Sequence, residues 1–181
     1  MVEDPTPLDI AQVVAEHHQA VYRYAYRLTG SVQDAEDLTQ QVFLAAHQKL
    51  GHLRSPGSVR SWLFVIVRNS FLTDCQKRRP VAVDPLGLDM NTVPAEIPDR
   101  GEIDPERLQL ALDELLPDFR VVLVMFYFEG CSYREIADRL EVPIGTVMSR
   151  LARAKAFLRS KLLPASSGTA GAAHHATDHG G

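Results

Sequence analysis

The chain has 181 residues, of which 45% are hydrophobic and 23% charged, which is normal for a soluble globular protein of one ordinary domain or two small ones. Its longest unbroken apolar run, at residues 121–128, is far too short to span a bilayer, and its acidic start is not a secretory signal. The short apolar run predicts no membrane insertion. Two cysteines without a Cys-x-x-Cys motif fit a reduced, cytoplasmic protein.

The formal net charge of −4 hides an uneven distribution. Residues 80–106 contain one basic and seven acidic residues, a net charge of −6, whereas residues 1–79 and 107–163 carry +1 and +2. Both flanks therefore hold clustered cations in a chain that is acidic as a whole. This asymmetry is the first indication of function.

The N-terminal flank, residues 1–79, is predicted to form a helical domain. Apolar residues at helical spacing predict three helices, at about residues 10–28, 31–50 and 59–77. Ser31 is placed to cap the second helix, with Asp34 three residues later as a weak form of a capping box. Two Gly and one Pro predict a loop at residues 51–58.

Residues 80–105 contain five prolines, most of the acidic excess and few large apolar side chains. Prolines at this density forbid a long helix, and the segment cannot bury a core of its own. We interpret it as a flexible acidic linker between two helical domains, with a loop-rich subdomain as the alternative.

The second domain is predicted at residues 106–163, followed by a disordered tail at residues 164–181. Its four helices are expected at about residues 107–116, 118–128, 133–140 and 144–162. Asp118 or a neighbour is expected to cap the second of these, and Ser132-x-x-Glu135 is a proper capping box for the third. No strand pattern is convincing, so we predict an all-α fold of two small helical domains.

Two short helices separated by the break Glu141-Val142-Pro143 form a helix-turn-helix pattern. Residues 144–161 contain five cations and no acid, and an acid there would repel phosphate. Arg can form two hydrogen bonds to a guanine edge in the major groove, and hydroxyl groups can form hydrogen bonds to bases or phosphates. The side chains expected to do so are Thr146, Ser149, Arg150 and Arg153, with Lys155 nearer the backbone. A solvated basic face on an ordinary helix is the alternative.

Three stretches of the chain resemble one known family. SYREIADRLEVPIGTVMSRLARAKAFLRSKL, starting at Ser132, looks like region 4 of the small, group 4 (extracytoplasmic-function) bacterial sigma factors. SVQDAEDLTQQVFLAAHQKL, starting at Ser31, resembles regions 2.1–2.2, and SVRSWLFVIVRNSFLTDCQKRR, starting at Ser58, resembles regions 2.3–2.4. Two sets of motifs in the family's order are much more specific than either set alone.

The resemblance implies a promoter-specificity subunit of RNA polymerase, without enzymatic activity, cofactor or metal. Its implied partners are core RNA polymerase, through the β′ clamp helices and the β flap, promoter DNA and an anti-sigma factor. The residues that match the segment docking on the clamp helices are Asp34, Glu36, Asp37, Leu38 and Gln40. Acids near a helix N-terminus also stabilise the helix locally, which is an alternative explanation for part of this set.

The resemblance also implies a site for the −10 element. Asn69 matches a position that holds a flipped base, and the loop at residues 51–58 helps to choose that base. The implied contacts to strand phosphates are Arg68, Lys77, Arg78 and Arg79. The last three equally fit a solvated helix end. The implied contacts to the −35 element are the residues already named on the last helix.

The sequence departs from the family pattern at several positions. Met148 stands where Lys or Arg is common, and Glu141 stands where Gly is common in the turn. Gln41 and His47 stand where Glu and Trp are frequent. We therefore expect one contact to the −35 element to be missing or replaced.

Two other classes of function are alternatives to a sigma factor. A conventional activator or repressor would use residues 10–79 to sense a ligand or to dimerise. An enzyme is disfavoured because the chain has no Gly-rich phosphate loop, no paired metal-ligand motif and no nucleophile elbow. His174, His175 and His179 are more typical of an inert tail than of a metal site.

Overall fold

Residues 9–50, 59–78 and 104–162 are described by the computed structural model. These ranges contain seven helices and no strand, which confirms the all-α fold class. The helices are α1 (Ile10–Thr29), α2 (Val32–Lys49), α3 (Val59–Arg78), α4 (Pro105–Asp113), α5 (Pro117–Phe128), α6 (Tyr133–Leu140) and α7 (Ile144–Leu162). The predicted loop at 51–58, most of the predicted linker and the predicted tail lie outside the described residues.

The first unit of the fold consists of α1, α2 and α3. Ser31 caps α2 as predicted, because its hydroxyl accepts a hydrogen bond from the Asp34 N–H (3.3 Å). Gly30, which ends α1, has a φ of 73°, a left-handed conformation that Gly adopts without strain. The fully buried side chains at the centre of this unit include Val21, Leu28, Ala35, Val42, Leu63 and Val67.

The second unit, α4 to α7, begins differently from the expectation. α4 runs from Pro105 to Asp113, so it starts and ends earlier than predicted. The predicted cap by Asp118 is wrong, because α5 starts at Pro117 and its N-cap residue, Leu116, makes no side-chain capping bond. Pro lacks an N–H and presets φ, which suits the first helical position. Asp118 lies in the first turn, where its charge favours the helix dipole.

α6 and α7 form the predicted helix-turn-helix pattern. The Ser132 hydroxyl accepts from the Glu135 N–H (3.3 Å), and the Glu135 carboxylate accepts from the Ser132 N–H (2.8 Å), which completes the capping box. Glu141 ends α6 with a φ of 54°, a conformation that costs a residue other than Gly about 1–2 kcal/mol. Apolar periodicity in α7 predicts an inward face of Val147, Leu151, Ala154, Leu158 and Leu162; the first four are buried, and Leu162 at the end of the helix is half-buried.

The two units pack against each other at the C-terminal end of α1. Carbonyl groups in the last turn of a helix lack partners within that helix. Gln109 of α4 donates to the Tyr26 carbonyl (3.2 Å), and Arg120 of α5 donates to the Leu28 carbonyl. These four residues are named the α1 joint below. The second unit thus caps a helix of the first.

Candidate functional site

The N-terminal half of α7 carries the residues predicted to read the −35 element. Thr146, Ser149, Arg150 and Arg153 are all half-buried. The Arg150 guanidinium pairs with the Asp118 carboxylate of α5 (2.9 Å), whose side chain is 54% exposed. Exposed ion pairs contribute about 0–1 kcal/mol, whereas a bidentate contact to guanine discriminates by about 1–3 kcal/mol. The pair with Asp118 is therefore weak enough to leave Arg150 open to exchange of its partner.

Lys155, further along α7, lies against aromatic rings of α5. Its ammonium group is 4.6 Å from the ring centre of Phe126 and 5.5 Å from that of Tyr127. Phe126 in turn packs against Tyr133 of α6, with 5.5 Å between the ring centres. Cation–π contacts at exposed sites contribute about 0.5–1 kcal/mol. They hold the Lys155 ammonium group of α7 against the end of α5, a position that the sequence alone does not specify.

The residues of α3 predicted to contact the −10 element differ in their exposure. Asn69 is exposed, and so is Lys77, whose ammonium group lies 3.5 Å from the Asp74 carboxylate. Arg68 is fully buried, so in this arrangement its guanidinium cannot make the predicted phosphate contact. The side chain of Arg78 and the whole of Arg79 lie outside the described residues.

Arg68 is buried because it pairs with Glu129, which follows α5 in the second unit. The distance from Arg68 Nη1 to Glu129 Oε1 is 2.8 Å, and the Glu129 side chain is only 4% exposed. The same oxygen accepts a hydrogen bond from the Tyr24 hydroxyl (2.6 Å), while Oε2 accepts from Arg139 (3.0 Å). These four side chains are named the Glu129 cluster below. The cluster joins α1 and α3 to the segment that carries α5 and α6.

Burial governs the protonation of groups around Glu129. Burial, reinforced by the Glu129 charge, raises the pKa of Tyr24, so its hydroxyl stays protonated and donates. The same two causes raise the pKa of the Cys131 thiol, which lies beside the cluster. Sequence reasoning missed this cluster, since it treats Glu129 only as the exit of a helix. The available signal was a charged residue directly after an apolar run, at both Arg68 and Glu129.

α2 presents the residues predicted to dock on core polymerase. Glu36, Asp37 and Gln40 are exposed, and Asp34 is half-buried. Leu38 is only 4% exposed, so it faces the core of the first unit. An open groove of about 870 Å³ lies between α1 and α2 beside the exposed residues. Its apolar lining consists of Ile10, Val14, Tyr22, Phe43 and Leu44.

A smaller cavity of about 270 Å³ lies between the two units. Asp34 and Asp37 of α2 line it from one side, and Asp113, Leu115 and Arg120 line it from the other. The second unit therefore approaches two acids of the predicted polymerase-docking set.

Within residues 9–50, 59–78 and 104–162, no group of three or more His, Cys, Asp or Glu side chains is placed to hold a metal ion. None of the helices built from them combines the length and the hydropathy needed to cross a bilayer.

Comparison with known proteins decides the family. Residues 13–81 match the family model for sigma-70 region 2, and residues 106–158 match that for sigma-70 region 4. The ECF RNA polymerase sigma factor EcfG of Rhodopseudomonas palustris is 31% identical over 139 residues, which cover 77% of either chain. The chain belongs to the extracytoplasmic-function (ECF) sigma factors of the sigma-70 family. The resemblance seen in the sequence is thereby confirmed.

Further relatives of this ECF sigma factor agree. The ECF RNA polymerase sigma factor SigE of Mycolicibacterium smegmatis is 40% identical over 164 residues, and the match spans 88% of this chain and 63% of SigE. Among solved structures, the sigma factor RpoE in complex with the anti-sigma factor NepR from Bartonella quintana matches with a TM-score of 0.63 and 28% identity, over 85% of this chain and 96% of RpoE. CnrH in complex with the cytosolic domain of CnrY shares the fold, with a TM-score of 0.53, 23% identity and coverage of 83% and 85%.

Proposed function

We propose that this ECF sigma factor binds core RNA polymerase and directs promoter-specific transcription initiation by recognising the −35 and −10 elements and aiding promoter melting. One observation carries the proposal: both sigma modules occur in one chain, in the order region 2 and region 4. The absence of acids from α7 and the exposure of Asn69 on α3 support the assignment of these two elements to DNA contact.

At the −35 element, the N-terminal half of α7 enters the major groove, as the recognition helix of a helix-turn-helix does. Arg150 exchanges Asp118 for a guanine edge, and Arg153 contributes a second guanidinium on the same half of the helix. Thr146 and Ser149 offer hydroxyl groups to bases or phosphates. Lys155 adds a charge nearer the sugar–phosphate backbone.

At the −10 element, Asn69 holds a base that has left the stack. Unstacking a base costs a few kcal/mol, about the energy that a base pocket and phosphate contacts can offset without ATP. Lys77, Arg78 and Arg79 supply those phosphate contacts at the end of α3. Arg68 joins them only when the second unit has moved away, because Glu129 otherwise occupies its guanidinium.

Core polymerase binds the α2 face. Glu36, Asp37 and Gln40 make direct contacts with the β′ clamp helices, and the groove between α1 and α2 accepts apolar side chains of that partner. Leu38 acts indirectly, since it is buried and fixes α2 to the core. Asp34, which is half-buried, lies at the edge of this surface. The second unit contacts the β flap.

We assign region 2 to residues 1–79, a linker to 80–105, region 4 to 106–163 and a tail to 164–181. The protein acts in the cytoplasm as a non-catalytic regulator. RpoE of Bartonella quintana was solved with the anti-sigma factor NepR. This likeness supports an anti-sigma factor as a further partner of the present chain.

Purified full-length protein, core polymerase and a pool of genomic promoter fragments test the function. We expect initiation at a defined set of promoters, and Asp37→Ala to weaken polymerase binding by about tenfold, as a well-placed interface residue does. Asp138→Ala is the matched control, because Asp138 is an exposed acid on α6. Absence of promoter-specific initiation would contradict the proposal. Promoter binding without any capture of core polymerase would favour a conventional activator or repressor.

A further inference from the structure

The recognition helix exposes two large apolar side chains. Ile144 is 48% exposed and Met148 is 51% exposed. They are four residues apart on α7, so they lie on the same face, one helical turn from each other. Neither side chain belongs to the buried inward face of the helix, which is formed by other residues.

The polar side chains on this part of the helix are less exposed than the two apolar ones. Thr146, Ser149 and Arg150 are half-buried, and the Ser149 hydroxyl donates to the Thr146 carbonyl (3.0 Å). Ile144 and Met148 are therefore the most exposed side chains of the first two turns of α7. These turns are the part of a recognition helix that meets base edges.

The chemistry of the major groove offers one apolar partner to such side chains. Thymine presents a C5-methyl group there, whereas the other bases present hydrogen-bond donors and acceptors. A cation would favour guanine or a phosphate at the same place. Exposed thioether and aliphatic side chains thus favour thymine over the other bases.

We propose that Met148, supported by Ile144, reads thymine methyl groups in the −35 element. Met148 thereby replaces the cationic contact that Lys or Arg would make at this position. The inference rests on the proposed function, because it assigns a base preference to the helix already proposed to bind the −35 element. DNA is the occupant that the surroundings favour, since α7 carries Arg150 and Arg153 and no acid.

Selection from promoters with a randomised −35 element tests the inference, with holoenzyme assembled from core polymerase and the full-length protein. We expect thymine at one or two positions of the selected element. Replacing that thymine by deoxyuridine removes only the methyl group and should weaken binding about fourfold, the effect of one buried methyl-sized group. With Met148→Ala the thymine-to-deoxyuridine ratio should fall to about one.

Leu110→Ala is the matched control, because Leu110 is an apolar side chain that is 66% exposed on α4 and does not belong to α7. It should leave the thymine-to-deoxyuridine ratio unchanged. Specific binding that ignores the methyl group, or a ratio that survives Met148→Ala, overturns the inference and leaves the proposed function intact. If Met148→Ala weakens binding to polymerase instead and leaves base preference unchanged, the face binds protein and the inference is wrong. Loss of all promoter-specific binding by the unmodified holoenzyme overturns both.

Discussion

Glu129 stabilises the contact between the two units mainly through the charge of Arg68. The Arg68 side chain is 0% exposed, and its Nη1 atom lies 2.8 Å from Glu129. A buried pair is costly to desolvate, so its net stabilisation is small, but removal of one partner leaves the other charge buried and uncompensated. Removal of Glu129 should therefore destabilise the fold by more than the intact pair stabilises it.

Glu129→Gln should lower the free energy of unfolding by about 3 kcal/mol, because the Arg68 guanidinium then lacks a counter-charge in a dry environment. Urea unfolding followed by circular dichroism measures the change. Glu114→Gln is the matched control, since Glu114 forms an ion pair with Lys161 across exposed surface and should contribute less than about 1 kcal/mol. Equal losses of unfolding free energy in the two variants would show that the Glu129 cluster stabilises the fold no more than an exposed ion pair does.

At the scale of single elements, α6 depends on its first turn. It has only eight residues, so it gains little from propagation of its own hydrogen bonds. The capping box satisfies two of its N-terminal donors, and the bonds from Ser132 lower the pKa of the Glu135 carboxyl group. The carboxylate form of Glu135 therefore stabilises the helix that supports α7.

The stabilisation by Glu135 should be lost in acid. A carboxyl group whose pKa is lower in the folded state stabilises the fold above its unfolded pKa, and this contribution disappears as the pH falls through the folded value. The difference in unfolding free energy between the native chain and Glu135→Gln should thus be present at pH 7. It should begin to fall near the ordinary Glu pKa of about 4.3 and vanish at lower pH. Denaturant titrations at several pH values measure it.

Asp138→Asn provides the comparison for the acid titration, because Asp138 is an exposed acid on the same helix outside the capping box. A pH profile of Glu135→Gln that merely parallels that of Asp138→Asn would mean that general surface charge, and not the capping box, causes the effect.

The elements themselves were largely predictable from the sequence, because their signals are local. Apolar periodicity and the pair Ser132 and Glu135 predict α6 and its start. The contacts between units were not predictable, since Glu129 bonds Tyr24 and Arg68 across separations of 105 and 61 residues. No pattern within a helix reports such pairs. The burial of Arg68, and with it the loss of one expected DNA contact in this arrangement, follows from this long-range pairing.

For the whole molecule, the two units touch in this structure, whereas the proposed function requires them to reach two separated promoter elements. The centres of a −35 and a −10 element are about 25 base pairs apart, roughly 85 Å at about 3.4 Å per base pair. Two units that touch through the α1 joint and the Glu129 cluster cannot occupy both elements at once. We therefore expect the units to separate when the protein binds a promoter as part of the holoenzyme.

A reversible cross-link between the units tests this expectation. A Cβ atom at Gly30 would lie 2.3 Å from the present Cγ of Asp113, so Gly30→Cys combined with Asp113→Cys places two thiols within bonding range. The oxidised double variant should lose at least about tenfold in promoter-specific initiation, and reduction should restore it. A shift in non-reducing gel mobility verifies the cross-link.

The two single cysteine variants control for the cost of a non-Gly residue at a φ of 73°, which is about 1–2 kcal/mol. They should stay active under oxidising conditions. Full activity of the oxidised double variant would show that initiation does not require the units to part.

The bonds of the α1 joint also bear on how easily the units separate. When Gln109 and Arg120 withdraw, water molecules can take their places on the Tyr26 and Leu28 carbonyls, and the exchange costs about 1 kcal/mol for the neutral Gln109 and about 1.5–3 kcal/mol for the charged Arg120. Both side chains are buried in the packed molecule, so water reaches these carbonyls only once the units have begun to part. A partner that separates the units must therefore offset the loss of these bonds as well as that of the buried Arg68–Glu129 pair.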